Sequence, residues 1–388
     1  MASRGRSNAF KLAVLGVALL LGLGVVEAAF RYRAWKLNRE SLESAFEVPP
    51  DTPAVQRTRF CDMIRPSPND RIIYELRPNL DVEFSGARVH TNDLGFRGPD
   101  VPLQADEGTI TIVGIGASIM FGYGVADDEN FLAVTGELLR RRHPERSWRT
   151  INTAVPSYNV VTKVEVLEEK GLQFHPDLVI LGIANNNLDL PNYVRIDEDP
   201  LDLGRSFLLD FFRERRAIED ETARRDSVLA AVNKEKLSWH AQVASDPSRI
   251  PERYRDLVGW EPFRRAMDEL ARTSLEQGFE VVCVANLDLD ISAQMLDEAR
   301  QRGFHTLMVM DDLRDFIDRQ YHEEFTLERY QQSALVVNKA NAHPSALQHR
   351  MIANRIERLM TNSGLIDRLY AKVPPPSASP QAAGTATR

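Results

Sequence analysis

The sequence has only two cysteines, Cys61 and Cys283, among 388 residues. That number excludes a disulfide framework and a cysteine-rich zinc site, and leaves open one bridge that sequence does not decide. Positive charge is also in deficit. Lysine and arginine total 48 against 56 aspartates and glutamates, a net charge of −8. Such a chain lacks the basic surface that binds phosphate backbones, so nucleic acid is not an expected partner. There is no G-x-x-x-x-G-K-[ST] loop, no G-x-G-x-x-G run and no helical H-E-x-x-H pair, which removes the common nucleotide and zinc-hydrolase signatures. No metal and no organic cofactor is expected. Hydrophobic residues at 43 % and charged residues at 27 % are ordinary globular usage, and exclude disorder across the whole chain.

Long apolar runs are scarce too, and mean hydropathy is −0.32. One run breaks the pattern: "LAVLGVALLLGLGVV" from Leu12 to Val26, preceded by Arg4, Arg6 and Lys11. Extended through Glu27, Ala28, Ala29 and Phe30 it spans about 19 residues, enough for one bilayer core. Phe30, Tyr32 and Trp35 stand where an interfacial aromatic belt would lie. Residues 1–32 therefore read as an N-terminal membrane anchor. A cleaved signal peptide is the alternative, because Val26-Glu27-Ala28 has the A-x-A shape. Arg31, Arg33, Lys36 and Arg39 outnumber the basic residues before the run, so charge orients it poorly. A short anchor followed by a globular domain places that domain most simply outside the cytoplasm, in the periplasm or at the cell surface. Residues 33–105 carry many prolines and read as an irregular membrane-proximal segment. The far end, 373–388, is rich in Pro, Ala and Ser and reads as a disordered tail.

Between these ends the elements alternate. "TITIVGIG" from Thr109, "WRTINTAV", "LVILGIA", "FEVVCVANL" and "FHTLMVMD" are short apolar runs of strand character. Helical patterns separate them: "NFLAVTGELLRRRH", "VVTKVEVLEEKGLQF", "PFRRAMDELARTSLEQG" and "AQMLDEARQRG". A last amphipathic helix, "SALQHRMIANRIERLM", turns Leu347, Met351, Ile352, Ile356 and Leu359 inward. Strands alternating with helices predict right-handed crossovers and a parallel sheet covered on both faces. Residues 193–259 break the rhythm with a charged helical insertion whose apolar face is Phe207, Leu208, Phe211 and Phe212.

In open α/β sheets, sites form beyond the carboxyl ends of the strands. Four such ends carry polar residues. Ser118 follows Gly114 and Gly116, where backbone N–H groups can orient a nucleophile and hold an oxyanion; an ordinary helix N-cap is the plain alternative. Met120 stands where a G-x-S-x-G elbow needs its second glycine. Asn152, Ser157, Tyr158 and Asn159 follow the second strand, and Asn185, Asn186 and Asn187 follow the third. An asparagine amide can donate to an oxyanion without a charge to desolvate. His343 precedes a proline at the start of the last helix, whereas His349 lies inside that helix and reads as a packing residue.

These pieces, in this order, resemble the SGNH (GDSL-type) hydrolase superfamily. Gly116-Ala117-Ser118 with Phe121-Gly122-Tyr123-Gly124-Val125 is similar to its first block, and Asn152 through Tyr158 to its second. Pro176-Asp177 through Gly182, then Asn186-Asn187, resembles the third, and Asn341 through His349 the last. "TNDLGFRGPD" is similar to a stretch of bacterial membrane-anchored members. The resemblance implies a flavodoxin-like three-layer α/β/α fold with a central parallel sheet over residues 106–366. It implies Ser118 as nucleophile, His343 as base and Asn341 as the residue that orients it. The oxyanion would meet the Ser118 N–H, Ser157 and Asn186. The implied function is hydrolysis or transfer of an acyl group on a cell-envelope carbohydrate or lipid-like ester. The sequence departs from the pattern at four places: Ala117, Asn187 and Asn341 replace carboxylates, and Ser157 replaces a glycine. These departures motivate the alternative of a catalytically silent domain that binds an envelope glycan or a protein.

Overall fold

The computed structural model describes residues 2–44, 58, 60–191, 203–204, 206–209, 212, 252–287, 291–339 and 341–375. The tail beyond residue 375 and most of the insertion, Phe211 included, lie outside the described residues. The chain divides into two units, residues 1–47 with 195–231, and residues 48–194 with 232–388.

The first unit is built on α1 (Ala2–Ser44). Its stretch Phe10–Arg33 has mean hydropathy 2.3 and no buried residue, and is long and apolar enough for a membrane span or a signal sequence.

In the second unit, α2 (Phe60–Met63) leads into β1 (Ile64–Pro66), which pairs antiparallel with β2 (Tyr74–Leu76). A hairpin follows, β3 (Asp81–Phe84) and β4 (Ala87–His90), turning at Ser85 and Gly86, both at positive φ. Left-handed backbone at both turn positions matches the twist of the paired strands. The segment expected to be irregular thus carries short paired strands. They are too short for alternation to show in the sequence.

The alternating body then runs β5 (Thr109–Ile115), α3 (Ser118–Phe121), α4 (Phe131–Arg142), β6 (Ser147–Asn152), α5 (Val160–Val166), β7 (Leu178–Ile183), α6 (Trp260–Gln277), β8 (Glu280–Ala285), α7 (Ile291–Gln301) and β9 (His305–Met308). After it come α8 (Met310–Tyr321), α9 (Leu327–Gln331), the hairpin β10 (Val336–Asn338) with β11 (Asn341–Pro344), then α10 (Ala346–Asn362) and α11 (Leu365–Lys372). Asn130 and Asn159 start α4 and α5, each accepting from an N–H of the first turn. The five central strands are all parallel in the order β6-β5-β7-β8-β9. That is the flavodoxin-like order 2-1-3-4-5. Helices α4 and α10 pack together on one face, and α5, α6 and α7 on the other, which completes the three layers.

Coverage on both faces explains the continuous apolar strands: Ile112, Val113, Leu178–Leu181 and Val282–Cys283 are buried without alternation. Each such side chain contributes about 1.5–3 kcal/mol on burial. In α10 the buried stripe is Gln348, His349, Ile352, Ala353, Ile356, Glu357 and Met360, while Leu347, Met351 and Leu359 are only half-buried. The stripe is rotated from the expected one because three polar residues, Gln348, His349 and Glu357, find internal partners. Register pairs Gly114 with Asn152 and Ile115 with Leu181, so β5, β6 and β7 end at one edge. The chain reverses direction across the sheet between β5 and β7, the place where such folds bind ligands.

Candidate active site

Ser118 stands at that edge. Gly116 has no room for a side chain, because a Cβ there would collide with Met120. Ala117, in extended backbone, occupies the N-cap position of α3 and Ser118 is the first helical residue. The N-cap alternative for Ser118 is therefore removed. Among the described residues its half-buried hydroxyl has no hydrogen-bond partner. Ala117 lines a small recess with Met120, Gly182, Ala184 and Asn286, so the acid that the motif would place there meets mostly apolar walls.

The turn after α3 is held from beneath by Arg97, whose side chain is fully buried. Its guanidinium donates to the carbonyls of Phe121, Gly122 at 2.6 Å and Val125 at 2.6 Å. Its Nε donates to Asp127 Oδ1 at 2.8 Å. A fixed cation thus satisfies carbonyls that a helix end leaves bare. Burial lowers the Arg97 pKa, and Asp127 pulls the other way.

His343 lies on β11, which packs against α3. Asn341 Oδ1 accepts from the His343 backbone N–H at 3.1 Å and faces His343 Nδ1 at 2.7 Å. The backbone N–H can only donate, so it fixes which end of the amide faces the ring. Nδ1 then carries the proton and Nε2 the lone pair. Asn341 Nδ2 in turn donates to Ser85 Oγ at 3.2 Å. The imidazole stacks on Tyr123, with centroids 4.4 Å apart and planes 14° apart. Burial pulls the His343 pKa down to about 4, so the ring is neutral at pH 7. Gly124, at φ +87°, lets this wall close: a Cβ there would sit 3.0 Å from Asn341 Nδ2.

Ser157 occupies the glycine position of the second block, and its φ is +69°. The left-handed backbone explains why glycine suits that place, and serine holds it at about 1–2 kcal/mol of strain. The loop before it is tied to the Ser118 turn, with Thr153 N–H on Gly114 O at 3.0 Å and Val155 N–H on Gly116 O at 3.3 Å. Asn186 lies in the turn Asn185–Leu188 at the end of β7, and its side chain is outside the described residues. Under that turn, Lys163 is fully buried. Its Nζ donates to Gly182 O at 2.9 Å and to Asn187 Oδ1. Desolvation alone brings its pKa to about 7.

The structure brings Ser118, the loop before Ser157 and the Asn341–His343 pair to one edge of the sheet; no hydrogen bond joins Ser118 to His343. Sequence reasoning gave no site role to Arg97, Ser85, Tyr123 or Lys163, although Tyr123 and Arg97 lie in segments it quoted. Lys163 had a signal, a cation on the helix face shared by Val160, Val164 and Leu167. Ser85-Gly86 between two short runs had the signature of a hairpin turn. His349 is buried and accepts from Phe131 N–H at 3.1 Å. Cys283 is a buried free thiol. Among the described residues no group of three His, Cys, Asp or Glu could hold a metal ion.

No family model matches the chain, and no curated protein matches it. Solved structures to which it is similar include a G-D-S-L family protein from Desulfitobacterium hafniense, at 11 % identity and TM-score 0.36, covering 64 % of this chain and 98 % of that one. An acetyl xylan esterase from Geobacillus stearothermophilus is similar at 13 % identity and TM-score 0.38, covering 66 % and 96 %. A two-domain esterase active on acetylated mannans is similar at 13 % identity and TM-score 0.39, covering 70 % and 53 %. These superpositions are loose, and the fold stands on the sheet order itself. The strand order and the helices on both faces make the domain a flavodoxin-like three-layer α/β/α fold, with Ser118, Ser157 and Asn186 beyond the ends of its strands.

Proposed function

We propose that this chain is a serine ester hydrolase or acyltransferase of SGNH type, acting on an acylated cell-envelope carbohydrate or a lipid-like ester. In this reading α1 anchors it and the α/β domain works outside the cytoplasm. The observation that carries the reading is the Asn341–His343 pair beside α3, with the ring held in the tautomer that a base needs. His343 Nε2 takes the proton of Ser118 Oγ as the oxygen attacks the ester carbonyl. The resulting oxyanion meets the Ser118 N–H, the N–H at Ser157 and the Asn186 amide. Collapse expels the alcohol, which recovers the proton from His343. Water, or an acceptor hydroxyl, then attacks the acyl-serine and frees residue 118.

Labelling with a fluorophosphonate tests this. Capture by the wild type and none by Ser118→Ala is the expected result. The neutral amide at Asn341 favours a second reading, a silent binding domain, since it cannot stabilise an imidazolium by charge. Failure of the wild type to react with any fluorophosphonate or short-chain ester would select that second reading.

A further inference from the structure

Glu27 places a carboxylate inside the apolar stretch Phe10–Arg33, where an unanswered charge is costly. It is answered within the same unit. Its carboxylate accepts from Ser206 Oγ at 3.0 Å, Phe207 N–H at 2.9 Å and Leu208 N–H at 3.0 Å. Arg31 pairs with Glu27 at 3.0 Å and lies over the Phe207 ring, 4.9 Å from its centroid. The first turn of the segment from Phe207 is thereby pinned to α1 at the level of residue 27. Six residues of helix separate that level from Arg33, about 9 Å at helical rise.

That depth matters for what lies beside it. Leu203 is 93 % exposed, Leu209 56 % and Phe212 54 %. Amphipathic segments that lie in a membrane surface bury their apolar face about 5–10 Å into the headgroup–acyl boundary. We infer that Leu203, Leu209 and Phe212 form a second membrane contact, seated at the headgroup–acyl boundary of the bilayer that α1 crosses. The inference rests on reading α1 as a membrane span. Its partner is lipid, recognised by apolar area alone, and Glu27 is the pin that sets the depth.

The test uses the full chain carrying Cys61→Ser, whose remaining Cys283 is buried, reconstituted in phosphatidylethanolamine–phosphatidylglycerol vesicles. Single cysteines at Val17→Cys, Leu209→Cys and Leu275→Cys receive an environment-sensitive fluorophore. Leu275, 85 % exposed on α6, serves as the aqueous control. Nitroxide-labelled acyl chains should quench the probes at 17 and 209 about threefold more than at 275. Quenching at 17 with residue 209 behaving like 275 overturns the inference and leaves the span intact. No quenching at 17 overturns both. Adding Glu27→Ala should move the probe at 209 out of lipid while the probe at 17 stays. Unchanged quenching at 209 in that variant would show that Glu27 does not set the depth.

Discussion

Arg97 and Lys163 are both buried cations under strand-end turns of the same domain, and their partners differ in kind. Arg97 holds the turn after α3 with a full fork: three carbonyls and the Asp127 carboxylate. Lys163 holds the turn after β7 with one carbonyl and one neutral amide, and no carboxylate among the described residues pairs with it. Burial penalises the charged form of both. Only Arg97 has an anion to offset that penalty, and a guanidinium resists deprotonation in any case. Lys163 instead titrates near neutrality. Burial lowers the Lys163 pKa, and its neutral partner Asn187 supplies no anion to offset that penalty.

Breaking the stronger side of this comparison should have the largest effect. Arg97→Met leaves three carbonyls without their donor and Asp127 with His90 as its remaining partner, and should cost about 3–5 kcal/mol in urea unfolding. Arg97→Lys should rescue little, because one ammonium cannot reproduce the fork. A loss within about 1 kcal/mol would mean that other donors satisfy those carbonyls.

Lys163 offers the next test. Its folded pKa, about 7, lies below the unfolded value of 10.5. The unfolded chain therefore binds the extra proton between these values, and stability should rise with pH by up to about 1.4 kcal/mol per unit across that window. Lys163→Met should flatten this slope in urea midpoints measured from pH 7 to 10. A slope that survives the substitution would place the titration elsewhere.

Asn341→Asp supplies the charge that the His343 site lacks. Ester turnover should rise about tenfold or more. The acid limb of the pH–rate profile should begin near 4 in the wild type, because His343 must be neutral to accept a proton. A carboxylate at 341 stabilises the imidazolium, so that limb should move to higher pH. An already fast wild type, unchanged by Asn341→Asp, would mean that another group orients His343. The smallest effect belongs to Ser157→Gly, which relieves a left-handed serine but frees the unfolded chain. A net gain of about 0.5 kcal/mol is expected in thermal or urea unfolding.

The central strands were legible because both faces of a parallel sheet are buried, and the runs from Thr109, Leu178 and Phe279 are apolar without interruption. Ser118, Ser157, Asn186 and His343 could be marked because strand ends are where such folds place chemistry, whereas Asn341 was marked only through the resemblance of its segment to the last SGNH block. Paired strands in residues 64–90 could not be read, since three or four residues show no period. The α10 stripe was misread by its polarity. Gln348 looks like a surface residue until Tyr330 and Asn286 supply its partners, while His349, read as a packing residue, is buried and accepts from Phe131 N–H.

By itself the sequence determined the alternation of elements, the apolar run that becomes α1 and the residue types at each strand end. All of these follow from local pattern and composition. Tertiary structure decided which of those residues share an edge, the tautomer of His343, the support of Ser85 and Arg97 and the environment that makes Lys163 titratable. These depend on burial and on partners as much as about 256 residues apart, as Ser85 is from Asn341. Desolvation and hydrogen-bond geometry are set by what the fold brings near, and no local window of sequence contains them.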